Sequence, residues 1–321
     1  MQRRRFIQIL ATSATGLSLG QLAAASPAPR SLQAVRWQGY TLGAQGSFTL
    51  YTENRLAAQA VLQHCFDEIR RLESLFSLYD HTSELCRLNR DGYLNAPAAD
   101  WRPLLDAANH AHALSHGLFD PTIQPLWHAY KQHFQAQPDA TTGPSEPTLA
   151  KARAHSGWEH LQYATDSIRF NRPGMQLTLN GIAQGFITDR VSDILRQAGY
   201  QHVLVELGET RALGSHPEQR PWKIGIKDAG HASELHEVAE LNDQALATSG
   251  SYGSPLSKDG SYHHLIHPQT GLPATRWKSL SVIAPTATQA DALSTGLSFA
   301  SNEQIHNIEH AHPKLRVLKQ G

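Results

Sequence analysis

Apolar residues recur at helical spacing through Glu53 to Phe76, where Val61, Cys65, Ile69, Leu72 and Phe76 form one stripe and charged residues occupy the other face. That period predicts a long amphipathic helix. A strand-like run from Thr41 to Tyr51 precedes it, and a polar stretch with a short helix follows over residues 77–92, with Thr82 or Ser83 as its cap. A further helix is predicted from Trp101 to Ser115, stopped by Gly117, before the sharp turn Phe119-Asp-Pro-Thr122. Residues 135–147, rich in Pro, Thr, Gly and Gln, read as an exposed loop. Beyond them, alternation predicts a hairpin from Ser167–Phe170 and Met175–Leu179, then a glycine turn and a helix through Arg196. Strands are expected at His202–Leu207, Trp222–Ile226, Ala245–Thr248, His263–Ile266 and Ser279–Ala284, ahead of an Ala/Leu-rich helix starting near Thr286. The strict alternation of a doubly wound sheet is missing, so the pattern predicts an α+β fold.

Lys plus Arg and Asp plus Glu number 28 each in 321 residues, so net charge gives no reason to expect nucleic acid or anionic lipid as a partner. The leader Gln2-Arg-Arg-Arg-Phe-Ile-Gln8, the mildly apolar run after it and Ala23-Ala-Ala25 read as a twin-arginine export signal over residues 1–25. The mature part, 26–321, is then expected in the periplasm. Gly, Ser and Thr interrupt the leader's apolar run, which falls short of the roughly 20 residues a span needs, and no other stretch predicts stable membrane insertion. Cys65 belongs to the apolar stripe, which favours structural, unpaired roles for it and Cys86.

The candidate chemistry lies in the second half. Asp291 and Thr295 are four residues apart on one helix face, a hard all-oxygen pair suited to Mg²⁺. Asp291 has a bland alternative as an acidic residue in a first helical turn. In Asn180-Gly-Ile-Ala-Gln-Gly185 a strand gives way through two glycines to a helix start, an arrangement that points N–H groups at an anion such as pyrophosphate. Close helix packing explains those glycines as well. His264 reads either as a base or as a strand histidine. The runs His110-x-His112-x-x-x-His116 and His306-x-x-x-His310-x-His312 have helical ligand spacing but lack Cys or acidic partners, so solvated histidines are the expected reading.

Six segments occur in order: Ser77-Leu-Tyr with Ser83-Glu-Leu-Cys-Arg-Leu-Asn89, Gly117-Leu-Phe-Asp-Pro-Thr122, Asn180 to Gly185, Ala247-Thr-Ser-Gly250, His264-Leu-Ile-His-Pro-Gln-Thr-Gly271 and Ala290 to Thr295. From about residue 37 to beyond 300 the chain resembles the ApbE family of FAD:protein FMN transferases, and the glycine turn and leader are similar to its NosX branch. The resemblance implies a mixed fold of largely antiparallel sheets with flanking helices and FAD in a central cleft. It implies Mg²⁺-dependent transfer of FMN from FAD to a Thr or Ser hydroxyl of an acceptor flavoprotein, periplasmic or membrane-anchored, in a respiratory, NosR-like system. His264 becomes the general base, and Asp291, Thr295 and the Ala183 carbonyl the Mg²⁺ ligands. Tyr79, Phe119, Asp120, Thr178, Gly181, Gln184 and Thr248 become FAD-binding positions. Many members carry an acid where Thr178 stands and a lysine where Gln184 stands, so this chain lacks one charge of each sign there. The strand end Val205-Glu-Leu-Gly-Glu-Thr-Arg211 holds less glycine than usual, which makes Glu206 and Glu209 outer candidates. Three alternatives stand beside the transferase: an FAD pyrophosphatase of the same family, a periplasmic FAD carrier without catalysis, and a metal-binding accessory protein.

Overall fold

The structure, a computed structural model, describes residues 32–321 apart from Leu42 and Ala232, so the predicted leader lies outside the described residues. Strands β1 (Gln33–Thr41) and β2 (Ala44–Thr52) open it as a hairpin, where the pattern predicted a single strand. The long amphipathic helix is α1 (Arg55–Phe76), whose predicted stripe from Cys65 to Phe76 is buried; its N-cap Asn54 accepts from the Ala57 N–H at 3.1 Å. Helix α2 (Glu84–Asp91) is capped by Ser83, which decides between the two candidate caps. Next come β3 (Tyr93–Asn95), α3 (Trp101–Leu114), α4 (Gln124–Ala136) and α5 (Glu146–Ala154), so helix ends take both flanks of the predicted 135–147 loop.

Strand β5 (Ser167–Phe170) pairs with β3 and with β4 (Leu161–Tyr163), not with Met175–Leu179. The predicted hairpin does not form because residues 175–179 have other partners. Asn89 holds both backbone groups of Leu177, at 2.7 and 2.8 Å, and the Thr178 N–H donates to the Pro121 carbonyl at 2.8 Å. This segment thereby runs straight into helix α6 (Ala183–Gln197). Then follow β6 (Val203–Glu206), β7 (Thr210–Leu213), β8 (Trp222–Lys227), β9 (Leu235–Leu241), β10 (Ala245–Gly250), β11 (Ser279–Ala284), α7 (Ala287–Leu297), α8 (Asn302–Ala311) and β12 (Arg316–Gln320). The predicted strand at 263–266 is reduced to isolated bridges, Pro255 with His263 and Ile266 with Pro273.

Seven strands form one sheet in the order β1-β2-β6-β7-β10-β11-β12, antiparallel throughout. Its one face meets the main core, built with α1, α3, α6 and α7, and its other face is covered in part by the β8–β9 hairpin through Trp222, Ile224, Ile226 and Leu241. Strand β11 is therefore buried at every position, whereas β8 alternates buried and exposed. Cys65 and Cys86 are both free thiols. No helix among the described residues is long and apolar enough to cross a membrane. The mixed helical and antiparallel architecture is the α+β class predicted.

Candidate functional site

Helix α7 is buried nearly all round, as its Ala, Ser, Gly and Leu content allows, and Thr286 caps it by accepting from the Gln289 N–H at 3.2 Å. Asp291 is its fifth residue and lies past the first turn, so the dipole does not explain it. It is 4% exposed, and its Oδ2 accepts from the Gly185 N–H at 2.9 Å. Burial pushes its pKa up to about 7, with the Gly185 hydrogen bond opposing and the Asp189 carboxylate adding to the rise. A carboxylate kept in such surroundings is costly unless something compensates its charge.

The two glycines of the turn serve close packing. A methyl on Gly181 would stand 2.8 Å from the Thr295 Oγ1, and one on Gly185 2.8 Å from the Asp291 Cβ. The bland reading of these glycines thus holds, and its result is to bring the head of α6 against the two oxygen-bearing residues of α7.

These residues form the inner side of a cavity of about 270 Å³. Its polar lining includes Thr178, Asn180, Gln184, Glu209, Thr248, Asp291 and Thr295, and its apolar wall includes Phe119, Ile123, Trp127 and Phe299. Glu209 is 8% exposed; burial first and the Asp291 charge second raise its pKa well above the usual carboxylate range, against a Thr248 backbone hydrogen bond. Ser249 links β10 to α7, its Oγ 2.8 Å from the Ser294 Oγ and 3.3 Å from the Thr295 Oγ1.

His264 lines the same cavity. Its backbone N–H donates to the Ser254 carbonyl at 3.2 Å, while its Nδ1 is buried with no hydrogen-bond partner among the described residues. Burial lowers its pKa to about 4, the neighbouring His263 adding to the fall and the Ser254 contact opposing it. The imidazole is therefore neutral near pH 7 and able to accept a proton. Asp120 is more constrained: Oδ1 accepts from the Thr122 N–H at 2.8 Å and hydroxyl at 2.7 Å, and Oδ2 from the Trp158 N–H at 3.2 Å. Burial still raises its pKa.

Of the residues singled out in the sequence, His264, Phe119, Asp120, Thr178, Gly181, Gln184, Thr248, Asp291 and Thr295 line this one cavity. Tyr79 does not; it is 86% exposed on the loop after α1. Ala183 opens α6 and is absent from the lining. The sequence reading passed over Ile123, Trp127, Tyr252 and Phe299, which carry no motif and reach the cavity through tertiary packing alone. Of the histidine runs, His112 is committed to structure, its Nδ1 2.8 Å from the Phe119 carbonyl and its ring stacked on Trp158, while His306 and His310 are solvated. Among the described residues no group of three or more His, Cys, Asp and Glu side chains is placed to hold a metal.

Comparison with known proteins bears on the same segments. The model of the ApbE family matches residues 42–318. A relative from Vibrio cholerae serotype O1 named FAD:protein FMN transferase is 29% identical over 312 residues, covering 94% of this chain and 93% of its own. One of the same name from Haemophilus influenzae is 31% identical over 241 residues, covering 71% and 69%. Among solved structures, the flavin transferase ApbE from Vibrio cholerae superposes with a TM-score of 0.77 at 26% identity, over 90% of this chain and 93% of that one. The apo flavinyl transferase ApbE of Pseudomonas stutzeri gives 0.75 at 26% identity, over 90% and 95%. With the family model spanning most of its length and its fold shared with these structures, this chain belongs to the ApbE family.

Proposed function

We propose that this protein transfers the FMN half of FAD to a serine or threonine hydroxyl of a separate acceptor flavoprotein. The observation that carries the reading is the single cavity in which an unpartnered neutral imidazole, His264, shares the lining with buried Asp291, Thr295 and Glu209 and with an apolar aromatic wall. The relatives named FAD:protein FMN transferase support the same chemistry.

In this reading the acceptor oxygen attacks the phosphorus on the FMN side of the diphosphate. A new P–O bond forms, the P–O bond to the AMP phosphate breaks, AMP leaves, and the hydroxyl proton passes to His264. An alcohol is a weak nucleophile, so a base held next to it is needed. The low pKa of His264 keeps it unprotonated and ready, and an anionic diphosphate brought alongside would raise its basicity. Phe119, Trp127 and Phe299 offer rings against which a flavin or adenine can pack, and Thr178, Asn180 and Gln184 offer neutral polar groups to the diphosphate.

Asp291, Thr295 and Glu209 make a hard oxygen donor set that fits Mg²⁺, and a cation there would favour the ionised forms of Asp291 and Glu209 that burial opposes. Ala183, at the head of α6, would add its carbonyl. The bound ion would supply charge neutralisation at the diphosphate. The twin-arginine leader would place the enzyme in the periplasm as a single transferase unit over residues 26–321, and a membrane-anchored, NosR-like respiratory flavoprotein is the acceptor this reading favours.

The test is to incubate the protein with FAD and Mg²⁺, with and without a candidate acceptor domain, and to weigh the acceptor by mass spectrometry. FMN added covalently to the acceptor is the expected outcome. AMP released at the same rate without acceptor would make the protein an FAD pyrophosphatase instead.

A further inference from the structure

Asp189 lies on α6 one turn beyond Gly185, and its carboxylate crosses to the first turn of α7. Oδ1 accepts from the Ala287 N–H at 2.9 Å, and Oδ2 accepts from the Thr288 N–H at 2.8 Å and the Thr288 hydroxyl at 2.6 Å. Three donors of one helix end are thus satisfied by a side chain from another helix, beside the cap that Thr286 already provides. Together with the Gly185 N–H on Asp291, α6 grips α7 at two levels, which fixes both the register and the rotation of α7.

The grip is itself anchored. Arg211 on β7 is 5% exposed and sits between Asp189, 3.7 Å away, and Asp243, to which it donates at 3.1 Å; Arg196 of α6 also donates to Asp243 at 3.0 Å. Only a group that accepts through both oxygens can serve here. An asparagine would turn an NH₂ toward donors.

We propose that Asp189 is a positioning residue, which through α7 sets where Asp291 and Thr295 stand in the cavity and thereby the affinity for a divalent cation, without touching the substrate. This rests on reading Asp291 and Thr295 as cation ligands. The probe is Mn²⁺ titrated into the mature chain, with free Mn²⁺ followed by electron paramagnetic resonance. Asp189→Asn should weaken Mn²⁺ binding roughly tenfold or more, in line with the loss of groups that orient metal ligands. It should raise the Mn²⁺ concentration needed for half-maximal transfer, with kcat largely recovered at saturating metal. Thr286→Ala, which removes the helix's own cap, should lower the melting temperature yet leave Mn²⁺ affinity within about twofold, because the ties from α6 persist. Thr288→Val, which deletes only the hydroxyl donor, gives a milder variant and should weaken Mn²⁺ binding by about threefold. Unchanged Mn²⁺ affinity in Asp189→Asn, or in Thr288→Val should the first not fold, would overturn the proposal. Equal weakening by Thr286→Ala would overturn it too, by reducing Asp189 to one of two interchangeable caps. A wild-type protein that binds no Mn²⁺ would instead remove the cation reading on which it rests.

Discussion

Replacing Gly185 by alanine tests how the inner side of the cavity is built. The added methyl would overlap the Ala287 carbonyl oxygen and stand 2.7 Å from the carbonyl carbon and 2.8 Å from the Asp291 Cβ, against an ordinary carbon–carbon contact of about 3.5–4.0 Å. Two of these atoms are α7 backbone, pinned by Asp189, so relief requires the helices to part. Overpacking of this kind costs about 3 kcal/mol at the upper end of its usual range. The better helix propensity of alanine returns about 1 kcal/mol. Weakening the Gly185 N–H bond to Asp291 adds about 1.5 kcal/mol. The net loss is about 3.5 kcal/mol, which at the roughly 2–4 °C per kcal/mol of a 150–250-residue domain is a fall of about 7–14 °C in Tm, with the lower end expected for this larger one. Thermal unfolding followed by circular dichroism gives the number. Gly181→Ala is the companion: its methyl meets the Thr295 side chain, which can turn, so stability should fall by about 1 kcal/mol or less while transfer falls further. A Gly185→Ala protein that melts at or above the wild-type temperature would refute the close helix contact and the reason given for the glycine.

His264→Ala should abolish transfer to the acceptor while FAD binding, measured by flavin fluorescence, stays largely intact; full activity would take His264 out of the mechanism. The same residue has a pH signature. Its folded pKa of about 4 lies below the ordinary 6.5, so between these values the unfolded chain binds a proton that the folded chain refuses. Stability from this group therefore rises with pH from about 4 to 6.5 and is fully present above, and urea titrations of His264→Gln should show a flatter profile across that window than wild type. Glu209→Gln removes a carboxyl that burial and Asp291 hold against ionisation at a cost to the fold near neutral pH, so it should raise Tm without Mg²⁺ and shrink any further rise on adding Mg²⁺, both readable by differential scanning fluorimetry. Trp127→Ala should weaken FAD binding by about two- to twelvefold, the worth of one aromatic contact of about 0.5–1.5 kcal/mol, as an equilibrium titration would show.

Long elements with a strong period were legible: α1 from its stripe, and α7 from its Ala/Leu run with Asp291 and Thr295 on one face. Short elements whose partners are remote were not. Strand β9 buries only Ala239 and Leu241 and so barely alternates, and Met175–Leu179 alternates but spends its backbone groups on Asn89 and Pro121. In the site, the motifs carried the polar half, because carboxylate, hydroxyl and imidazole groups at set spacing have recognisable chemistry. Trp127 and Phe299 had no such signature, since their role follows from how α4 and the end of α7 pack. Tyr79 shows the opposite limit. The family pattern named the residue, yet identity alone did not place its ring, which here faces solvent.

The contact of Gly185 with Asp291 joins positions 106 residues apart, and β2 pairs with β6 across an even longer stretch of chain. Such pairings are paid for in loop closure before they return any contact energy, so they form late. During synthesis the cavity has no inner side until α7 has emerged from the ribosome. A chain broken off before that helix is not a weaker version of the enzyme; it has β10 and His264 but no oxygen pair to set against them. Loading with flavin can only follow near-complete translation.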